Sequence, residues 1–432
     1  MAEIKPLQAL RYNPAAVGPL DRVLAPPYDV IDEPQRQALL ERSPYNVVAI
    51  DLPRAAPDPY AAAAELFARW QREGVIVRES EPALYAHEQH YTGPDGRPRT
   101  RRGFFCAVRL ADYGPGSIRP HERTHPGPRE DRLRLMRATR ANLSPIFSLY
   151  SDPQRLAWSA LAPATSTQPL TEVRDEEGTD HRLWRISDAD AIAAVRAALA
   201  DRELLIADGH HRYETALAYA REIDRAGGSG DAHHHVLMCL VALEDPGLTV
   251  FPTHRLVARP DEHSSARLQA LLAESFESEE ITEAELAARI ASAQEGGSWS
   301  GGERFSCGLL TADPSPPRWI TLRDEALLET ALPARSDAYR HLDTGVLEAL
   351  ILREALGIGE GAISHLEGFG YARTIAEARQ ALSEGRFALA FIMRPTPVRQ
   401  IQAIAAAGEH MPPKSTFFFP KLLTGLLFNP LF

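Results

Sequence analysis

Lysine is nearly absent from this chain. Lys and Arg together number 47 in 432 residues, yet only Lys5, Lys414 and Lys421 are lysine. Arginine serves almost every other surface cation. Two of the three lysines fall within the single stretch "PPKSTFFFPK". Lysine supplies a compact, titratable ammonium that arginine does not, so this stretch is a candidate ligand contact. Cysteine is scarce as well. Cys106, Cys239 and Cys307 are far apart and make no ligand pair, which argues against a disulfide framework or a cysteine-based zinc site and fits a reducing cytoplasm. No run of 18 apolar residues is present, so no membrane span is expected. The opening "MAEIKPLQAL" lacks the cationic start and apolar block of a signal peptide. Positive charge is not in excess: the formal net charge is −11. That balance opposes a role gripping nucleic-acid backbone, but not a small anionic ligand held in a local cationic pocket.

What is present is the composition of a globular chain, too long for one ordinary core, and two or three domains are expected. The fold class reads as α/β (α+β), multi-domain, in three segments: 1–150, 151–260 and 261–432. In the first, "YNVVAIDLP" reads as a strand and "YAAAAELFARWQREG" as a helix. "PALYAHEQHY" and "GFFCAVRL" read as strands joined by a turn. In the second, "HRLWRI", "SDADAIAAVRAALAD", "ELLIAD" and "HHRYETALAYAREID" give β-α-β-α, the first helix capped by Ser187 or Asp188. "VLMCLVAL" and "LTVFPTHRLV" are expected to form a hairpin across "EDPG". The third segment carries "SARLQALLAESF", "TIAEARQALSEG" and "VRQIQAIAAAGE" as helices and "FALAFIMRP" as a strand.

The densest chemistry sits at "LLIADGHHRYETALAY". An apolar strand ends in Asp208 and Gly209, and a helix starts at once. Gly209 permits a tight turn and close approach of a ligand. The first helical turn offers unpaired N–H groups and a partial positive charge, which attract anions. Arg212 adds a planar two-pronged donor suited to phosphate. His210 and His211 can donate hydrogen bonds or move a proton near neutral pH. This is the pattern of a phosphate cradle with acid–base groups beside it. A metal site is not read here, because adjacent histidines do not share a helix face as i, i+4 pairs do. The run His233-His234-His235 is expected in a solvated, glycine-rich loop with weak metal affinity at most.

Three further clusters carry charge. "HERTHPGPRED" holds His121, Glu122, Arg123, Thr124 and His125 ahead of a helix; Glu122 is a candidate general base and Arg123 a phosphate clamp. "FPTHRLV" places His254 and Arg255 on opposite strand faces, and a buried arginine needs a partner or an anion. "MPPKSTFFFPK" offers Lys414, Ser415, Thr416 and Lys421 to phosphate oxygens without the glycines of a Walker loop. Its phenylalanines read as core. "APPYDVI" presents Tyr28 and Asp29 on a rigid turn with no assigned role.

The stretch "LWRISDADAIAAVRAALADRELLIADGHHRYETALAY" resembles the core of the ParB/sulfiredoxin-like fold, with Gly209, Arg212 and Ala216 at the positions of its Gly-x-x-Arg-x-x-x-Ala phosphate box. The Asp-Gly-His form of that box is most similar to the free serine kinases of this fold. The whole chain also resembles a widespread bacterial family known only as a domain of unknown function, through "APPYDVI", "SPYNVVAIDLP", "HERTHPGPREDRLRLMRATRANLSPIFSLY", "IADGHHRYETAL", "FPTHRLV" and "MPPKSTFFFPKLLTGL". The box has no cysteine, which argues against sulfiredoxin activity. No helix-turn-helix follows it, which argues against DNA segregation. The resemblance implies phosphoryl transfer to or from free serine or a similar metabolite. It implies ATP or ADP with Mg²⁺, Asp208, His210 or Glu122 as the base, and a phosphorylated small molecule as partner. The alternative is a ParB-like nucleotide-binding switch without metabolite turnover. An enzyme would bring the four charged clusters into one cleft.

Overall fold

The computed structural model describes residues 2–93, 96–122, 126–295, 304–313 and 315–432. They group into two compact units. The first holds residues 1–120, 124–248 and 420–432, and the second holds 121–123 and 249–419. The architecture mixes helices with parallel and antiparallel strands, as the α/β (α+β) reading expected.

Among the described residues, the main sheet of the first unit has nine strands: β1 (Ile4–Lys5), β2 (Leu84–Thr92), β3 (Pro98–Arg109), β4 (Ile118–Arg119), β5 (Ile146–Tyr150), β6 (Thr171–Arg174), β7 (Asp180–Ile186), β8 (Leu204–Asp208) and β9 (His235–Ala242). Their order is β4-β8-β5-β9-β3-β2-β7-β6, with β1 paired to β3. β8 runs parallel to β4 and antiparallel to β5, and β5 runs parallel to β9. Every residue of β9 is buried, which explains its unbroken apolar run: a strand covered on both faces shows no alternation. Val236, Met238 and Leu240 enter the main core with Phe104, Ile146, Ile206 and Tyr213.

The helices of the first unit include α1 (Pro59–Arg72), α2 (Pro126–Thr139), α3 (Ala189–Leu199) and α4 (His210–Arg225). The Asp188 side chain caps α3 by accepting the Ala191 N–H at 2.8 Å. α4 buries Tyr213, Ala216, Tyr219 and Ala220 along one stripe, the helical spacing of an amphipathic face. It packs against α2, which packs against α1.

Three sequence expectations change here. "YNVVAIDLP" is not a strand, because Val48–Asp51 is a short helix. The Asn46 side chain accepts the Val48 N–H and donates to the carbonyls of Arg22 and Leu24. A local side-chain cap of this kind overrides β-propensity. The hairpin across "EDPG" does not form either. Both edges of β9 are already taken by β3 and β5, so no edge is left for the following strand. The domain division at 150 and 260 also differs, since β5 and β9 are neighbours in one sheet and residues 420–432 return to the first unit. There Asn429–Pro430 pairs with Ala141–Asn142.

The second unit pairs β10 (Thr249–Phe251) with a late strand, Phe417–Phe419. Its main sheet uses β11 (His254–Val257), β12 (Phe276–Glu280), β13 (Ser306–Thr311), β14 (Arg318–Leu322), β15 (Phe369–Ala372) and β16 (Leu389–Met393), in the order β12-β14-β13-β16-β11-β15. Alternate residues feed two cores. Val257, Leu309 and Phe391 face one, and Leu256, Leu310 and Ala390 face the other, the two-residue period of a strand. Among the described residues, no helix is long and apolar enough to cross a membrane.

Candidate functional site

The turn after β8 starts from Gly209. Its φ of +99° lies in the left-handed region, where a Cβ is disfavoured. A Cβ there would also meet the Arg212 guanidinium at 3.1 Å. Asp208 and Arg212 are one helical turn apart, and Arg212 Nη2 donates to Asp208 Oδ2 at 2.6 Å. Arg212 Nη1 donates to the Pro145 carbonyl. Lys421 Nζ donates to the other carboxylate oxygen, Asp208 Oδ1, at 3.1 Å. Burial works to raise the Asp208 pKa, but the Lys421 ammonium and the Arg212 guanidinium outweigh it and hold the carboxyl well below the usual carboxylate range. Asp208 is therefore a fixed anion and a weak base. His210 is buried on the first turn of α4 and His211 is half-buried.

Around Arg212 gathers a set that sequence reasoning left without a role or missed. Asp51 lies at the end of the short helix that replaced the expected strand. Arg132, on α2, donates to Asp51 Oδ1 at 3.2 Å and to the Asp51 carbonyl at 2.7 Å. The Ser144 hydroxyl donates to Asp51 Oδ2 at 3.4 Å and meets Thr424 Oγ1 at 3.0 Å. The Arg132 guanidinium sits over the Tyr28 ring, 4.3 Å from its centre. Tyr28, Asp51, Arg132, Ser144, Arg212 and Thr215 line one cavity. Burial raises the Asp51 pKa despite the opposing pull of Arg132 and Arg212. Burial likewise pushes the Tyr28 phenol up to about 12, so it is a neutral donor at neutral pH. Two cations, a reluctant carboxylate and three hydroxyls thus share one concave space. The signal for these residues was present in "APPYDVI", "YNVVAIDLP" and "REDRLRLMRATRANLSP". What hid it was the strand reading of the second, while the third reads only as the helix that follows the His121–His125 cluster.

Six of the expected site residues lie in this first unit: Asp208, Gly209, His210, His211, Arg212 and Lys421. Others fall in the second unit. His121 is buried, and its Nε2 meets Thr416 Oγ1 at 2.9 Å. Glu122 is half-buried, with an oxygen 3.9 Å from the same ring nitrogen. His254 and Arg255 are both buried. The His254 ring accepts the Met393 N–H at 3.2 Å, and burial, with Arg255 beside it, pushes its pKa down to about 4. It is a neutral structural group. Arg255 donates to the Thr253 and Pro413 carbonyls and lies 5.5 Å from the Tyr371 ring centre. The Ser415 hydroxyl donates to the Pro412 carbonyl and meets the Thr344 hydroxyl, so protein partners already use the donor expected for phosphate. Lys414 is exposed at a φ of +57°. Arg123, Thr124 and His125 lie outside the described residues. Phe418 is buried, as the core reading expected, and Phe419 stacks on Phe251 at 5.0 Å. The histidine run is not solvated as expected: His233 and His235 are buried.

The fold and this cluster define an α/β protein with a charged, concave site beyond the carboxyl end of a buried strand. The chain belongs to the family described as protein of unknown function (DUF1015), whose model matches residues 4–344. No curated protein matches the sequence. Solved structures give distant likenesses. A conserved hypothetical protein from Pyrococcus furiosus is 14% identical, with a TM-score of 0.31, over 70% of this chain and 86% of that one. A free serine kinase in complex with AMP is 14% identical, with a TM-score of 0.34, over 70% and 83%. SbnI from Staphylococcus aureus, truncated at its C-terminus, is 12% identical, with a TM-score of 0.35, over 76% and 87%. Likenesses at this level carry no argument for the activity of this chain.

Proposed function

We propose that this protein is a small-molecule phosphotransfer enzyme acting on free serine, phosphoserine or a similar metabolite, in the kinase or the phosphatase direction. The observation that carries the reading is the cavity shared by Arg132, Arg212 and Asp51. Phosphoryl transfer asks the protein mainly to position groups and to stabilise charge. Two guanidinium groups in a buried setting supply planar, charge-assisted donors for phosphate oxygens. Asp51 is the group suited to take a proton from an attacking hydroxyl. Its pKa is raised by burial, and a base works best when its pKa approaches the working pH. His210 is the second candidate. Asp208 instead orients Arg212 and Lys421. If a nucleotide is used, the carboxylate of Asp29, which is exposed and near enough to Tyr28 and Arg212 to act on both electrostatically, would be the group to hold Mg²⁺, an ion that neutralises phosphate charge while keeping several of its waters.

The test is phosphorus NMR of the full chain with Mg²⁺. The mixtures are phosphoserine alone, phosphoserine with ADP, and serine with ATP or ADP. Turnover is expected in at least one mixture. Arg212→Ala should abolish it, and Asp51→Asn should slow it by at least about 100-fold, the usual contribution of a general base. Silence in every mixture with nucleotide still bound would favour a nucleotide-binding switch instead. Silence without binding would remove both readings.

A further inference from the structure

The far end of α4 holds a second group of potential ligands. Asp224 lies in its last turn. After a glycine-rich stretch, the chain returns through the short turn Ala232–His234 into β9. The two imidazoles converge on one carboxylate oxygen. His233 Nε2 is 3.0 Å and His234 Nε2 is 2.9 Å from Asp224 Oδ1. The three ligand atoms all lie within 4.8 Å of one another, and no other group of this kind was found among the described residues. Tetrahedral bonds of about 2.0–2.2 Å put donor atoms roughly 3.3–3.6 Å apart, so the two N···O separations need to open by only about 0.5 Å to admit an ion.

We infer that Asp224, His233 and His234 form a binding site for a divalent transition-metal ion of the zinc class. Two imidazole nitrogens and one carboxylate oxygen suit Zn²⁺, Co²⁺ or Ni²⁺. They do not suit Mg²⁺ or Ca²⁺, which take oxygen ligands. Three protein ligands leave a position for water. Access is open on one side: the Asp224 and His234 side chains are 49% and 30% exposed, while His233 is 5% exposed and anchors the turn. Without an ion, both ring nitrogens meet the carboxylate oxygen through their protons; an ion replaces those protons with lone-pair bonds. Outer support is in place as well. Asp231 Oδ1 lies 3.5 Å from His234 Nδ1, and the Asp231 carboxylate is itself paired with Lys5 and Arg109. Carboxylates behind ligand histidines fix the ring orientation. The bound ion would fasten the end of α4 to the start of β9. Arg212 sits about 18 Å away along the same helix, at 1.5 Å per residue. The inference does not depend on the phosphotransfer reading.

The experiment uses the full chain without a histidine tag, stripped with chelator and titrated with Zn²⁺ by calorimetry and with Co²⁺ by visible absorption. One equivalent of each is expected, with a rise in Tm on Zn²⁺ addition, since an ion that binds only the folded state stabilises it. Asp224→Asn and His234→Gln change partly exposed groups and leave buried His233 in place. Each should weaken Zn²⁺ binding by at least about tenfold, as expected when a metal sphere is disturbed, and remove the Tm response. Circular dichroism checks that both variants fold. Failure of the wild type to take up Zn²⁺ overturns the inference. So does uptake that both variants retain unchanged, because the ion would then sit elsewhere.

Discussion

Asp51 is buried and Asp208 half-buried; the two carboxylates behave oppositely, and the difference lies in their counter-charges. Asp208 is held by two cations, Arg212 and Lys421. Asp51 is paired with one, Arg132, which also neutralises Asp131. The Asp208 pKa is depressed on folding, so its contribution to stability is fully present above the ordinary aspartate value of about 3.9. That contribution is lost as pH falls through the lower folded value. Asp51 is raised on folding, so it opposes folding as pH climbs from the unfolded value toward the folded one. Asp208→Asn should therefore lower unfolding stability at pH 7 by about 3 kcal/mol. This is the lower end for a broken buried pair, because the Asp208 side chain keeps 20% exposure. The variant should also flatten the loss of stability below pH 4. Urea unfolding at several pH values reads both effects, and an unchanged midpoint at pH 7 would contradict the assignment. Of the residues in this cluster, Asp208 and Arg212 were legible from the strand-to-helix pattern. Asp51 was not, because a cap from Asn46 set its local structure and a partner 81 residues away set its chemistry.

At the scale of elements, the turn between β8 and α4 and the cap of α3 separate site from scaffold. Gly209→Ala forces a side chain into a left-handed position, at about 1–2 kcal/mol, and pushes on Arg212. Asp188→Ala removes the α3 cap, at about 1 kcal/mol, with no change at the cavity. The two variants should lose similar stability in thermal melts. Only Gly209→Ala should also lose the phosphotransfer proposed above, and equal activity in both would show that the turn does not position Arg212. The order β7-α3-β8-α4 was readable from periodicity and capping residues. The partners of β8 were not. Its apolar run shows burial on both faces, and that pattern is the same whether a strand pairs parallel or antiparallel.

At the scale of the whole molecule, each unit carries its own core, and the closing segment belongs to the first. Leu422, Leu423, Leu426, Leu427, Phe428 and Leu431 are all buried, each contributing about 1.5–3 kcal/mol. Deleting residues 420–432 should abolish cooperative unfolding of the first unit, and a native-like melt in the truncated chain would contradict that. The cysteines give a second reading. Cys106 and Cys239 are buried in the first unit and Cys307 in the second, so none should react with a thiol reagent in the native state. All three should react in urea. A biphasic appearance, two thiols and then one or the reverse, would report which unit opens first.

Residue order by itself determined the elements whose signals are local: the apolar runs of β8 and β9, the cap of α3, the glycine turn before α4 and the need to balance Arg212. It also marked Lys421 as unusual, through the near-absence of lysine. Only the tertiary structure decided which edges of β9 were occupied, that the C-terminal segment returns to the first unit, and that Asp51, Arg132 and Tyr28 stand beside Arg212. The physical reason is the range of the forces. Backbone geometry and capping act over a few residues. Burial and ion pairing act between whatever groups the completed sheet brings within a few ångströms, and sequence distance does not enter.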